Sequence, residues 1–361
     1  MTESYEQALS ATARALLGVL GTFEVVLRHL HPPELVVLRA QLEPRRAALE
    51  QALDVLAMSA PPERLSEFHE RFCGGGRIVA EAAASFVAEV PADRAIVQVL
   101  ASMQRYTMGL EALYAVHRFP PLARYFVEPA FHDRLERVEP PPADGMRVGL
   151  HRTGGEGERG GFCLYVPESY DGQRDLPLVV ALHGGSGDGR GFMWSWLREA
   201  RGRGFLLLAP TARGPTWSLM GPDIDGPPLR SMVDYVRDRW RVDDDKILLT
   251  GLSDGATYTL LTGLAENAPF TALAPYSGVL HPANLENGNL ERARDRRIYL
   301  VHGALDWMFP VQTARWAHET LASAGADIVY REIEDLSHTY ARDENDRVLA
   351  WFDPSLALPV A

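Results

Sequence analysis

Cysteine is nearly absent from this chain of 361 residues: Cys73 and Cys163 stand far apart and make no disulfide framework. Lysine is scarcer still, with Lys246 the only one among 36 basic residues, a codon-usage signature without mechanistic content. Positive charge is outweighed by 48 acids, and a net charge of -12 argues against a nucleic-acid surface, since no basic stripe dominates such a field. The opening "MTESYEQALS" has no positive segment followed by an apolar core, so no signal peptide is expected. No apolar run approaches the length of a membrane span. Together these absences lead to the expectation of a protein of the reducing cytoplasm. What is present is a globular composition, 46% hydrophobic and 23% charged, in a chain long enough for two domains.

Two periodicities divide the chain. From Tyr5 to about Glu136 apolar residues recur at three and four, as in Leu16, Leu20, Phe23, Val26, Leu27 and Leu30. Pro32-Pro33, Pro61-Pro62, Pro91 and Pro120-Pro121 punctuate the pattern. The expectation is an all-helical domain over 1–140, a bundle of about five helices, with "CGGGR" (Cys73 to Arg77) interrupting the third. Its role is open between a cap, a dimerisation element and a docking module. His69 and Cys73 share a helix face and His29 and His31 flank a helix end, but too few ligands converge for a metal.

"VEPPPADG" (Val138 to Gly145) reads as a linker. Beyond it, short apolar runs alternate with helical stretches: 161–167, 176–184, 204–210, 247–253, 271–278, 297–303 and 327–333. Near-continuous apolar strands between helices mean a mostly parallel sheet covered on both faces, so 146–361 is expected to be an α/β domain. Its first strands lack an intervening helix and predict an antiparallel hairpin at one edge.

Within that domain "ILLTGLSDGATYTL" (Ile247 to Leu260) carries the form Gly-x-Ser-x-Gly, at Gly251, Ser253 and Gly255. In a sharp strand-to-helix turn the serine takes strained backbone space while the residues two before and two after it crowd each other. The gain is an Oγ held above the sheet at a helix N-terminus. A serine hydroxyl needs a base, and His338 in "DLSHTY" follows the last strand, where it reaches over the carboxyl edge. His302 and His318 read as packed and surface residues. The acid that orients the imidazole is expected at Asp306, directly after a strand; Glu334 and Asp335 are its rivals but precede His338 too closely. "ALHGGSGDG" (Ala181 to Gly189) ends a strand in a glycine loop that aims a backbone N–H at an oxyanion. The expected donors are Gly185 and the residue after the nucleophile, Asp254.

On these residues the chain resembles the α/β-hydrolase superfamily. "TGLSDGA", "LHGG" and "VHGALDWMFP" are similar to carboxylesterases related to dienelactone hydrolases, phospholipase/carboxylesterases and the polyhydroxybutyrate depolymerase or feruloyl esterase-like enzymes. The resemblance runs from Met146 to the C-terminus and implies nucleophile Ser253, acid Asp306, base His338 and no cofactor. Trp217 and Trp307, with Trp194 and Trp196 nearby, are expected at the active edge, the first two as pocket walls. The loop 214–228 is expected at the pocket rim with Asp223 and Asp225 solvated. The expectation is therefore a serine esterase acting on a small-molecule ester through an acyl-enzyme, free of nucleic acid and of membrane spans, with a homodimer through the helical domain among the open roles. The alternatives are a peptidase or thioesterase with the same triad, and a non-catalytic interaction protein on a hydrolase scaffold.

Overall fold

The computed structural model describes residues 2–140, 145–155 and 158–359; residues 141–144, the middle of the expected linker, lie outside the described residues. The chain forms two compact units, Met1–Phe126 and Val127–Ala361. The division falls before the proline-rich stretch because residues 127–139 bond into the second unit. There the buried Arg203 guanidinium holds Glu128, and the buried Arg201 guanidinium holds Glu139.

The first unit is four long helices, α1 (Thr2–Arg28), α2 (Leu35–Ala57), α3 (Ser66–Val87) and α4 (Ala95–Tyr114), with a short α5 (Pro120–Tyr125). The proline pairs start helices or the turns before them, where a missing N–H is harmless. Helix α1 packs on α2, α3 and α5, and α3 on α2 and α4. Two expectations are corrected here. Helix α3 runs unbroken through Cys73–Arg77. A methyl at Gly75 would lie 2.9 Å from Leu113 and one at Gly76 3.0 Å from Leu53, so the glycines bring α3 close to α4 and α2. Helix α1, over Tyr5–Arg28, is long and apolar enough by length and composition to cross a membrane. Its scattered charges (Arg14 and Glu24 among them) break the apolar run without removing its average. Its inner side, including Leu16, Val19, Leu20, Phe23 and Val26, is fully buried.

The second unit holds one eight-stranded sheet in the order β1-β2-β4-β3-β5-β6-β7-β8. The strands are β1 (Gly149–Thr153), β2 (Phe162–Val166), β3 (Leu176–Leu182), β4 (Leu206–Pro210), β5 (Val242–Leu252), β6 (Ala272–Tyr276), β7 (Arg297–Gly303) and β8 (Asp327–Ile333). The edge pairs β1–β2 and β2–β4 are antiparallel, and every pair from β4 through β8 is parallel. Strands β2, β3, β4 and β6 are buried along their whole length, as a sheet covered on both faces requires. The helices are α6 (Leu135–Val138), α7 (Gly189–Phe192), α8 (Leu197–Arg203), α9 (Gly226–Arg237), α10 (Asp254–Gly263), α11 (Ala283–Glu286), α12 (Asn289–Arg292), α13 (Val311–Ser323) and α14 (Asn345–Phe352). In a parallel sheet the loops after the strands gather at one edge, and that edge is where side chains from distant parts of the chain can meet.

Candidate active site

Ser253 stands between β5 and α10 with φ +80° and ψ -109°, a conformation that an L-residue holds only when its surroundings enforce it. Here they do. The Ser253 N–H donates to the Tyr276 carbonyl at 3.0 Å, and the Ser253 carbonyl accepts from the N–H and hydroxyl of Thr257. The flanking glycines are required by space. A methyl at Gly251 would sit 2.5 Å from the Gly255 backbone, and one at Gly255 2.4 Å from the His183 carbonyl.

Strands β7 and β8 end side by side, Gly303 opposite Ile333, so the two loops that follow leave the sheet together. Ala304 N–H donates to Ile333 O and Leu305 N–H to Leu336 O, which clamps the loops to each other. The result is a hydrogen-bonded chain. Ser253 Oγ lies 2.9 Å from His338 Nε2, and His338 Nδ1 lies 2.8 Å from Asp306 Oδ2. Asp306 Oδ1 accepts the N–H groups of Met308 at 2.9 Å and Phe309 at 2.8 Å. The carboxyl group is thus held by three donors, and it faces the imidazole in one orientation only. The rivals Glu334 and Asp335 are exposed to solvent.

The loop after β3 lies beside the serine because β3 pairs with β5, Leu182 opposite Gly251. A methyl at Gly184 would be 3.6 Å from Ser253 Cβ, and one at Gly185 2.7 Å from Asp254 Oδ2. In that loop Ser186 N–H is bonded to Pro215 O and Gly187 N–H to Gly184 O, whereas the N–H groups of Gly185 and Asp254 have no protein acceptor among the described residues. His183 is wholly buried with both nitrogens engaged: Nδ1 is 2.6 Å from Gly184 O, and Nε2 accepts Ala212 N–H at 3.0 Å. Burial pushes its imidazole down to about 4, so it is neutral and structural.

The aromatic expectations separate. Trp217 is 3% exposed and forms core, not pocket wall: its indole N–H donates to His183 O at 2.7 Å and its ring stacks on Tyr258. Trp194 and Trp196 are buried too. Trp307, 47% exposed beside Asp306, does stand at the site's edge with Leu305 and Met308. The acids of the 214–228 loop divide. Asp223 is exposed, as expected, and accepts from Tyr258, whereas Asp225 is buried and accepts from Arg213 N–H and the Ser218 hydroxyl. They fasten the loop to the fold, and Thr216 adds a 2.6 Å hydrogen bond to Asp254. Sequence reasoning also missed what His302 touches, although its spacing of four from Asp306 across a strand end was visible.

Among known proteins, residues 228–352 match the family model described as Phospholipase/Carboxylesterase, a stretch that contains Ser253, Asp306 and His338. No curated protein matches the chain. Solved structures similar to it include a thermostable esterase at 22% identity, covering 56% of this chain and 61% of that one with a TM-score of 0.47. An acetyl xylan esterase from Aspergillus awamori is 18% identical, covering 56% of this chain and 98% of that one with a TM-score of 0.44. A fluorophosphonate-binding serine hydrolase of Staphylococcus aureus is 16% identical, covering 54% and 92% with a TM-score of 0.46. Sheet order, elbow and loop positions define the class as α/β-hydrolase. Within that class, the 228–352 segment is similar to the phospholipase/carboxylesterase family whose model it matches.

Proposed function

We propose that the protein is a serine esterase that cleaves a small-molecule carboxylic ester through an acyl-enzyme. Ser253 Oγ attacks the ester carbonyl as His338 Nε2 takes its proton, and Asp306 keeps the Nδ1–H tautomer and balances the imidazolium. The N–H groups of Gly185 and Asp254 receive the oxyanion, each contributing about 2.7–4 kcal/mol to lowering the barrier. His338 then gives its proton to the departing alkoxide, which leaves as the alcohol. A water entering the same place loses a proton to His338 and attacks the acyl-enzyme; the proton returns to Ser253 as the acid is released. Trp307, with Leu305 and Met308, offers apolar surface to the substrate's carbon skeleton, a role that Trp217 in the core is not placed to take.

The observation that carries this reading is the Ser253–His338–Asp306 hydrogen-bonded chain, at 2.9 and 2.8 Å, on a serine whose backbone strain has no use in a scaffold. A fluorophosphonate probe should label the wild type and leave Ser253→Ala unlabelled, and turnover of p-nitrophenyl acetate should fall by about four orders of magnitude or more. Retained turnover in a folded Ser253→Ala variant sinks the assignment.

A further inference from the structure

The proposed mechanism leaves unused a buried titratable group lying against its acid. His302, near the end of β7, is wholly buried. Its Nε2 donates to the Phe309 carbonyl at 2.8 Å and lies 3.4 Å from Asp306 Oδ2, whereas Nδ1 has no partner among the described residues. A carbonyl can only accept, so the proton is on Nε2. The charged or titratable groups facing this ring are Asp306, His338 and, across the strand pair on β8, Glu332, whose carboxylate is held by Arg315 and Tyr330.

Phe309 connects His302 to the site by two routes. Its carbonyl accepts the His302 Nε2–H, while its N–H donates to Asp306 Oδ1 and its ring meets His338 edge-on at 5.3 Å and 87°. That hydrogen bond ties the turn 306–309 to β7, and losing it would leave the carbonyl facing the buried ring without its donor. We infer that His302 is a positioning residue of the reaction proposed above: a neutral imidazole with its proton on Nε2 clamps Phe309, and the clamped turn presents Asp306 to His338. This rests on the serine-esterase reading. Burial disfavours the imidazolium and opposes the pull of Asp306, so the ring stays neutral and the carboxylate's charge remains with His338.

Two variants separate positioning from packing. His302→Phe fills the space without a donor, and His302→Gln offers an amide N–H toward the Phe309 carbonyl. With p-nitrophenyl acetate, His302→Phe should lose ~10- to 100-fold in kcat with KM nearly unchanged, because a small misplacement of the acid is felt mainly in the transition state. The acid limb of its kcat/KM profile should shift, since His338 answers to how Asp306 is held. His302→Gln should recover most of the loss and the wild-type limb. Nitrogen-15 NMR of the wild type needs no variant: His302 should show an Nε2–H tautomer that does not titrate across roughly pH 5–8. A His302 that titrates near the ordinary ~6.5 overturns the inference. So does a His302→Phe with wild-type kcat and pH profile, or a His302→Gln as impaired as His302→Phe. Absence of fluorophosphonate labelling in the wild type overturns the esterase reading and this inference with it. Labelling with an unmoved profile in His302→Phe overturns this inference alone.

Discussion

Replacing Asp306 with asparagine tests the proposed chemistry, because the surroundings decide how the amide must lie. Two backbone N–H groups, from Met308 and Phe309, point at Oδ1. They demand an oxygen there, so the amide NH2 falls at the Oδ2 position, 2.8 Å from His338 Nδ1. Turning the amide over would make two N–H groups face a donor in place of their acceptor, at about 1–3 kcal/mol each. The imidazole has the easier response: it moves its proton to Nε2 and accepts the amide at Nδ1. Nε2–H then faces Ser253 Oγ as a donor and cannot take the serine proton. The expected loss in kcat is ~10⁴-fold, about 5.5 kcal/mol of barrier. Exchanging a charged acceptor for a neutral one should lower stability by only about 1–2 kcal/mol. The assay is p-nitrophenyl acetate turnover beside a urea titration, with the His338 tautomer read by nitrogen-15 NMR. An Asp306→Asn enzyme working within about tenfold of the wild type, or still showing Nδ1–H on His338, refutes the reasoning.

Three further outcomes follow from local geometry. Gly255→Ala places a methyl 2.4 Å from His183 O and 2.5 Å from Leu182 O, both backbone atoms at the end of β3. Its urea midpoint should fall by the equivalent of about 3 kcal/mol or more, and an unchanged midpoint contradicts the crowding argument. Relief of strain should make Ser253→Gly more stable than Ser253→Ala by about 1 kcal/mol or more, since only glycine sits easily at φ +80°; equal melting of the two speaks against strain at the elbow. His183 binds its proton more weakly folded than unfolded, about 4 against 6.5. Between those values the unfolded chain takes up a proton that the folded chain refuses, so stability is intact above pH ~6.5 and declines toward pH ~4 by about 3 kcal/mol from this residue. His183→Gln should flatten that acid slope in denaturant titrations, and an identical slope counts against a neutral buried ring.

Much of the α/β unit was legible because its signals are local. Apolar runs broken by glycine and proline marked seven strands, and the lack of a helix between the first two anticipated the antiparallel edge. Ser253, Asp306 and His338 could be picked out because each follows a strand in a parallel sheet, and such positions share an edge whatever the details. The glycine readings show where locality ends. Gly251 crowds Gly255 four residues on, so the motif revealed it, although Gly255 itself crowds the distant His183 and Leu182 carbonyls. The glycines at 74–76 looked like a break, yet Gly75 and Gly76 serve contacts with Leu113 and Leu53 that no local pattern records.

The same boundary explains Trp217, Asp225 and His302. Whether an indole walls a pocket or fills a core depends on which distant carbonyl its N–H finds, and Trp217 found His183. Asp225 looked like a loop charge until the Arg213 N–H and the Ser218 hydroxyl closed around it. Sequence by itself determined the order of strands and helices, the strained serine turn and the edge where the three side chains could meet, because backbone sterics and apolar periodicity act over a few residues. Only the tertiary structure decided which polar atoms are paired and which aromatics are covered. Burial and hydrogen-bond partners are properties of neighbours in space, and those neighbours stand from a few to dozens of positions away in the chain.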